Sequence, residues 1–328
     1  MKLSIPIAFG IALLAGSTLL TFSHIRESVE LRDSPNGFLH WCENRDSLSE
    51  GAKHTVDVLL SKINYTDCSE AHNRLTRKSY LFLLDQEITD IRPVAGLVNL
   101  SVLSLERNQI VDIEPLSQLR KLRRLALSDN QIADISPLSG LKRLHELHLN
   151  NNQITDIKAL SELRNLKEVF LSYNQIKDVR PLSGLGKLIM LDLSYNQVKN
   201  IEPLSALVKL RALLLMDNQI ADISSLSRLS GLKSLFLAKN QIEDVVPLSK
   251  LSGLKSLGLS KNEIIDVTPV STLNNLELLV LDYNQIVDIR PLSKLKNIRY
   301  LSLYSNPVAN KVCPVEPASA CKFDKSEH

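Results

Sequence analysis

Polar side chains of the types used in hydrolysis lie close together near the middle of the chain. The stretch LDLSYNQVKNIEPLSALVKLRA contains Asp192, Ser194 and Tyr195 within four residues. With His148 as the base and a serine such as Ser172 as the nucleophile, Asp192 would complete a catalytic triad. The members of such a triad must lie in hydrogen-bond contact, at about 3 Å. Whether they do depends on the elements that carry them.

The same stretch is one copy of a tandem repeat. An asparagine recurs every 22 residues, and Gln86 takes its place in a degenerate first copy, LFLLDQEITDIRPVAGLVNL. The chain therefore holds eleven copies, ten of them with the asparagine. Such units stack and bury their apolar faces against one another, so this long chain needs only one continuous core. The asparagines are Asn108, Asn130, Asn152, Asn174, Asn196, Asn218, Asn240, Asn262, Asn284 and Asn306.

Each copy predicts a short strand followed by a turn. Leu191 and Leu193 alternate like inward residues of a strand that pairs in parallel with the next copy. We expect the asparagine amide to satisfy backbone groups where the chain leaves the strand, because an unpaired buried group costs about 1–3 kcal/mol. A recurrent proline suits the start of a short helical or 3₁₀ turn. The prolines are Pro93, Pro115, Pro137, Pro181, Pro203, Pro247, Pro269 and Pro291.

This arrangement separates the candidate catalytic residues. His148 and Asp192 fall two strands apart, at about 9–10 Å, and the serines recur as repeat consensus. Glu146, His148 and Glu168 could together hold zinc, but no second histidine stands at a matching position. The sequence therefore predicts a protein that is not an enzyme and that has no metal or other cofactor.

The overall charge is balanced. With 39 basic and 36 acidic residues among 328, the formal net charge is +3, too small to favour nucleic acid or membranes by bulk electrostatics. One edge of the repeats is basic, but it lacks the interleaved aromatic residues that nucleic acid would favour. The basic residues are Arg120, Lys121, Lys142, Arg143, Arg164, Lys187 and Lys209. The acidic edge comprises Asp112, Asp134, Asp156, Asp178, Asp222, Asp244, Asp266 and Asp288.

The N-terminus has the pattern of an export signal. Lys2 precedes the apolar stretch LSIPIAFGIALLAGSTLLTF, with small residues for cleavage near residue 23 or near residues 15–17. An uncleaved anchor is the alternative, because about 20 apolar residues span a bilayer. Ser17 stands where a lipoprotein signal needs cysteine, which disfavours lipidation. We expect an exported protein, whether periplasmic, on the cell surface or secreted, that meets a membrane only if residues 1–23 remain attached.

Four cysteines remain for an exported chain, and four allow three pairings. Cys42 and Cys68 precede the repeats, whereas Cys313 and Cys321 follow them. Eleven stacked strands at about 4.8 Å each separate the two pairs by about 50 Å. A disulfide needs Cα atoms within about 7 Å, which leaves only Cys42–Cys68 and Cys313–Cys321.

The remaining segments are assigned to a linker and two caps. Residues 24–37 are polar and predict a linker. Residues 38–80 predict a helical cap, with one helix on the face of Leu48, Ala52, Val56, Leu59 and Ile63 and a shorter one after Asp67. Residues 81–308 are the repeats, and residues 309–328 form a C-terminal cap and tail in which no further apolar period follows.

A central group of apolar residues is the strongest candidate for a binding site. On the expected outward face of adjacent strands, the repeat pattern does not require apolar side chains, yet they are present there. Such clusters mark interaction sites, and tyrosines suit binding. We expect a contiguous patch that binds another protein. Its residues are Phe170, Tyr173, Met190, Tyr195, Leu214, Met216 and Phe236.

The unit NQIxDIxPLSxLxxLxxLxL resembles the 22-residue leucine-rich repeats of bacterial internalins and of a phosphatase-1 regulatory subunit. The resemblance covers about residues 81–308. It implies an α/β solenoid, a right-handed leucine-rich-repeat superhelix with a concave parallel sheet, a convex side of 3₁₀ turns, a small helical N-terminal cap and a disulfide-closed C-terminal cap. The segments FLHWCENRDSLSEGAKHTVDVLLSKINYTDC and NPVANKVCPVEPASACKF are similar to the caps of exported cyanobacterial leucine-rich-repeat proteins.

Internalins bind host receptors, and the phosphatase subunit binds its enzyme, through the concave face. The resemblance therefore implies a non-enzymatic protein-binding module, without naming a ligand. We see no sorting motif after residue 308, which disfavours a surface adhesin, and the signal and cysteines disfavour a cytosolic phosphatase regulator. A structural or envelope scaffold is the alternative function. Glycan binding is third, since only Asp282, Tyr283 and Tyr304 suggest it.

Overall fold

The computed structural model describes residues 37–323. The predicted signal, the tail from residue 324 and all of the predicted linker except Gly37 lie outside these residues. Three α-helices come first: α1 (Phe38–Glu43), α2 (Glu50–Ile63) and α3 (Cys68–Thr76). No helix in residues 37–323 is long and apolar enough to cross a membrane.

Twelve parallel strands follow and form one sheet, in which spatial order equals chain order. The first four are β1 (Tyr80–Phe82), β2 (Val102–Ser104), β3 (Arg124–Ala126) and β4 (Glu146–His148). The next four are β5 (Glu168–Phe170), β6 (Met190–Asp192), β7 (Ala212–Leu214) and β8 (Ser234–Phe236). The last four are β9 (Ser256–Gly258), β10 (Leu278–Val280), β11 (Tyr300–Ser302) and β12 (Cys321–Lys322).

The register follows the repeat period. Leu191 pairs with Leu213, which pairs with Leu235, so each residue lies beside its counterpart in the next copy. These central leucines are fully buried, whereas the residues on either side of them face outward. Because side chains alternate along a strand, the core lies on one side of the sheet and the other side is the concave face.

Short 3₁₀ helices line the opposite, convex side. Where present, the recurrent proline stands at their first positions, as predicted, and a fully buried residue such as Leu116 anchors each repeat. In the repeats these helices span Arg92–Val94, Glu114–Gln118, Ser136–Gly140, Lys158–Glu162, Arg180–Leu182, Glu202–Ala206, Ser224–Arg228, Val246–Lys250, Thr268–Thr272 and Arg290–Lys294.

The asparagines join successive copies, which confirms their predicted role. The Nδ2 group of Asn196 donates to the carbonyls of Leu171 and Leu193, both at 3.0 Å. Its Oδ1 accepts the N–H of Ile176 at 2.9 Å. Asn196 is only 8% exposed, so one buried amide satisfies backbone groups of its own copy and of the preceding one. Gln86 instead turns to the carbonyls of Leu84 and Asp85 within its own copy.

The N-terminal cap covers the first layer of the core. Cys42 and Cys68 form the predicted disulfide. Ser49 and Asp67 cap α2 and α3 with their side chains, so α2 starts after Leu48 rather than at it. Helix α1 was not predicted, because six residues are too few to show a period.

The C-terminal end differs from the expectation in one respect. The predicted disulfide Cys313–Cys321 is present, but the chain does not merely close a loop. Cys321 and Lys322 pair with Leu301 and Ser302 as a twelfth strand. At the other end, β1 begins at Tyr80, one residue before the predicted start of the repeats.

Candidate functional site

The candidate site lies on the concave face, where outward side chains form columns that run across the strands. Met190 follows Glu168 in the first column, and Phe170, Asp192, Leu214 and Phe236 are successive members of the second. Met216 belongs to a third column, just after β7. Adjacent strands are about 4.8 Å apart, so neighbouring members of a column are within contact distance.

We call Phe170, Met190, Leu214, Met216 and Phe236 the central patch. All five side chains are partly exposed. Leu214 and Phe236 occupy directly paired positions, but Asp192 stands between Phe170 and Leu214. The structure therefore brings the predicted residues together around one carboxylate, rather than in an uninterrupted apolar column.

The two phenylalanine rings turn toward different neighbours. The Phe170 ring packs against His148 on β4, with 4.5 Å between ring centroids. The Phe236 ring lies over Gly258 on β9, where an added Cβ would come within 2.7 Å of Cδ1. Phe170 thus leans toward the N-terminal end of the sheet and Phe236 toward the C-terminal end. Asp192 and Leu214 lie in the space between them.

Tyr173 and Tyr195, the tyrosine pair, flank the central patch where the chain leaves β5 and β6. Their rings stack with centroids 4.1 Å apart and planes 8° from parallel. The hydrogen bond between the two side chains raises the pKa of the Tyr173 hydroxyl. Lys239 lies 5.5 Å from the centroid of the Tyr195 ring and also forms an ion pair with Asp217 at 2.7 Å. The tyrosine pair therefore presents two parallel rings, with the ammonium group of Lys239 beside them.

The residues considered for a catalytic triad make other bonds. His148 Nε2 lies 2.9 Å from Glu146 Oε1. Ser172 donates its hydroxyl to Asn150 at 3.0 Å, and Asp192 accepts the N–H of Ser194 at 2.9 Å. Each polar group is thus held by the repeat itself.

Glu146 has a second partner that bears on the zinc hypothesis. Its other carboxylate oxygen accepts from Arg124 Nε at 2.6 Å, so both oxygens are engaged by protein groups. Within residues 37–323, no group of three or more His, Cys, Asp or Glu side chains is placed to hold a metal ion.

The aspartates of the acidic edge accept backbone N–H groups of their own turns. Asp288 Oδ1 accepts the N–H of Arg290 at 2.9 Å, and the guanidinium donates to both carboxylate oxygens. These bonds, with the side-chain bond to Arg290 the largest cause, lower the pKa of Asp288 to about 2. Asn200 makes the same turn bond to Glu202 at 2.8 Å without a charge, which shows that the acceptor oxygen is the structural requirement.

Comparison with known proteins places this architecture in a family. The family description "Leucine Rich repeats (2 copies)" matches residues 120–162, 164–206 and 186–228. An internalin C2 from Listeria monocytogenes is 36% identical, with 62% of this chain and 91% of that chain covered and a TM-score of 0.59. The chain belongs to the leucine-rich-repeat family. No curated protein sequence matched the chain at a significant level.

Other solved leucine-rich-repeat structures are similar over most of the chain. The internalin InlF from Listeria monocytogenes is 29% identical over 84% of this chain and 95% of that one, with a TM-score of 0.68. The Arabidopsis thaliana receptor kinase GASSHO1/SCHENGEN3 ectodomain, in complex with CASPARIAN STRIP INTEGRITY FACTOR 2, is 26% identical. That match covers 71% of this chain and 31% of the ectodomain, with a TM-score of 0.62. This leucine-rich-repeat protein is therefore internalin-like in fold.

The sequence reasoning missed one exposed group on the same face. Tyr80, Phe82 and Leu84 at β1 are 56%, 55% and 43% exposed. We call them the edge cluster. Phe82 belongs to the same column as Phe170, so extending the column to the degenerate first copy would have found it.

Proposed function

We propose that this leucine-rich-repeat protein is an exported binding module that holds another protein on its concave face. The observation that carries the proposal is the central patch, in which two phenylalanine rings bracket Asp192 and Leu214 on paired strands. Burying a large apolar side chain contributes about 1.5–3 kcal/mol, so a few such residues can dominate an interface.

The geometry also suggests what the partner presents. Leu214 and the rings favour an apolar side chain, and Asp192 favours a basic group beside it, because complementary charges direct partner choice. The tyrosine pair adds a rigid aromatic surface, which loses little conformational entropy on binding. A partner segment with one aliphatic or aromatic residue next to lysine or arginine fits this site.

Two further observations support a protein that is exported and that binds rather than catalyses. The two disulfide bonds are typical of oxidising compartments outside the cytosol. The hydrogen bonds of His148, Ser172 and Asp192 go to Glu146, Asn150 and the Ser194 N–H, and none joins two of the three residues. This separation supports a function in binding rather than turnover. The plant receptor ectodomain solved in complex with CASPARIAN STRIP INTEGRITY FACTOR 2 has a similar solenoid, which supports a binding role.

Affinity capture with matched variants tests the proposal. The purified protein is used as bait in extracts of its source, and bound proteins are identified by mass spectrometry. A true partner is retained by wild type and by Val280→Ala, a partly exposed residue of the same column outside the patch. It is lost with Phe170→Ala combined with Phe236→Ala. A partner retained equally by all three proteins would place binding elsewhere and favour the scaffold alternative.

A further inference from the structure

The first strand of the sheet has an open edge. Strand β1 pairs with β2 alone, whereas β2 to β11 each pair on both sides. The N–H of Leu83 donates to Ser104 at 2.8 Å, and alternate residues of a strand direct their backbone groups to opposite sides. The backbone groups of Tyr80, Phe82 and Leu84 therefore point away from β2, and no strand within residues 37–323 pairs with them.

This open edge is apolar and accessible. The same three residues form the edge cluster, and the rings of Tyr80 and Phe82 lie 6.0 Å apart. Helices α1 and α2 contact the 3₁₀ helix Arg92–Val94, and His54 of α2 lies 2.6 Å from the carbonyl of Gln86, just after β1. The side chains of Tyr80 and Phe82 nevertheless remain more than half exposed. Of its outward backbone groups, the Leu84 carbonyl accepts from the side chain of Gln86 at 2.9 Å, a bond that strand pairing would have to replace. An exposed apolar edge without a neighbouring strand is a template for another strand.

The opposite edge of the sheet is protected. Strand β12 has two residues, one of them Lys322, and the disulfide Cys313–Cys321 closes the loop before it. Short strands and lysine are common means by which proteins block edge-to-edge pairing. Strand β1 is one residue longer, has no lysine within Tyr80–Phe82 and is not closed by a disulfide loop, although the ammonium group of Lys78 lies 5.6 Å from the centroid of the Tyr80 ring. The apolar first strand is therefore less protected than the last one.

The charged residues that flank β1 would complement those of a second copy in an antiparallel pair. Arg77 and Lys78 come just before the strand, and Asp85 and Glu87 come just after it; all but the partly exposed Lys78 are exposed. In an antiparallel pair with an identical strand, the basic end of each copy meets the acidic end of the other. A two-fold axis repeats such a contact on both sides and closes the assembly at two copies.

We propose that β1 pairs antiparallel with β1 of a second copy of this chain, centred on Phe82. Tyr80 then lies opposite the partner's Leu84, and the concave sheets of the two copies join into one. This contact between copies lies at the first strand of the sheet, away from the central patch, and the proposal does not rest on the proposed function. Its failure leaves the central patch untouched.

Sedimentation velocity of the purified protein over a range of concentrations tests the pairing. We expect wild type to dimerise reversibly and Tyr80→Glu to raise the dissociation constant by about tenfold or more, because position 80 faces the acidic end of the second copy and like charges then meet across the edge. Tyr300→Glu is the matched control: Tyr300 is a 38% exposed tyrosine at the same strand position of β11. The control should dimerise like wild type. A wild type that stays monomeric up to about 0.1 mM, or a dimer that Tyr80→Glu leaves intact, overturns the proposal.

A charge exchange separates a second copy from any other occupant of the edge. Arg77→Glu and Glu87→Arg should each weaken the dimer, and the two together should restore it, since opposite charges meet again between the copies. A peptide of another protein bound along β1 would not follow this pattern. If the double variant is as weak as the single ones, the occupant is not a second copy.

Discussion

The ring of Phe236 lies against the backbone of Gly258, one strand further along the sheet. A Cβ on Gly258 would come within 2.7 Å of Cδ1 of that ring, closer than such atoms approach. The missing side chain at position 258 thus determines how Phe236 is presented on the concave face.

Gly258→Ala should therefore move the Phe236 ring without unfolding the protein. The ring is partly exposed and can swing away, so we expect a loss of less than about 1 kcal/mol in the free energy of unfolding but a measurable loss of partner affinity. Gly184→Ala, where an added Cβ meets nothing within 4 Å, is the control and should change neither. Equal affinities in both variants would show that the ring position does not matter for binding.

Asn196→Ala should destabilise the solenoid. It leaves the buried Ile176 N–H without its acceptor, whereas the carbonyls of Leu171 and Leu193 keep the amides of Asn174 and Asn218 as donors. An unpaired buried N–H should cost about 1–3 kcal/mol. The midpoint of urea unfolding measures the loss, and the exposed Lys199→Ala in the following turn is the control. A loss no larger than that of the control would mean that the asparagine ladder contributes little to stability.

The parts of the fold that recur with the 22-residue period could be predicted from the sequence. The spacing of Leu191 and Asn196 repeats through the chain, so the strands, their register and the asparagine ladder could all be predicted. Helix α1 and strand β12 could not, because the caps occur once and carry no period. The ring orientations could not be predicted either, because they depend on the size of the neighbouring side chain. Phe170 leans toward His148, and Phe236 leans toward Gly258.

The two disulfides should contribute unequally to stability. The bridge Cys42–Cys68 spans 26 residues and Cys313–Cys321 spans 8. On the chain-entropy relation, losing the first should cost about 3–4 kcal/mol and losing the second about 2–3 kcal/mol. Unfolding of the two double alanine variants measures this, and thiol titration of unreduced wild type should find no free cysteine. A larger loss from the shorter loop would show that strain or cap packing outweighs loop entropy.

The acidic edge should make stability depend on pH in the acid range. The pKa of Asp288 is about 2 in the folded protein against 3.8 for the free group, because Arg290 and the turn N–H favour the charged form. This stabilisation is fully present above the unfolded value of 3.8 and is lost as the pH falls through about 2. Asp288→Asn keeps the acceptor oxygen, as Asn200 does, so it should fold normally and lose part of this acid dependence. An NMR titration that places the Asp288 pKa near 3.8 would contradict the account.

The most direct test of the central claim is the affinity of the captured partner for single variants of the concave face, measured by calorimetric titration. We predict that Phe170→Ala and Phe236→Ala each weaken binding by about 2 kcal/mol or more, while Val280→Ala does not and the melting temperatures change little. Wild-type affinity in both phenylalanine variants would contradict a binding site at the central patch.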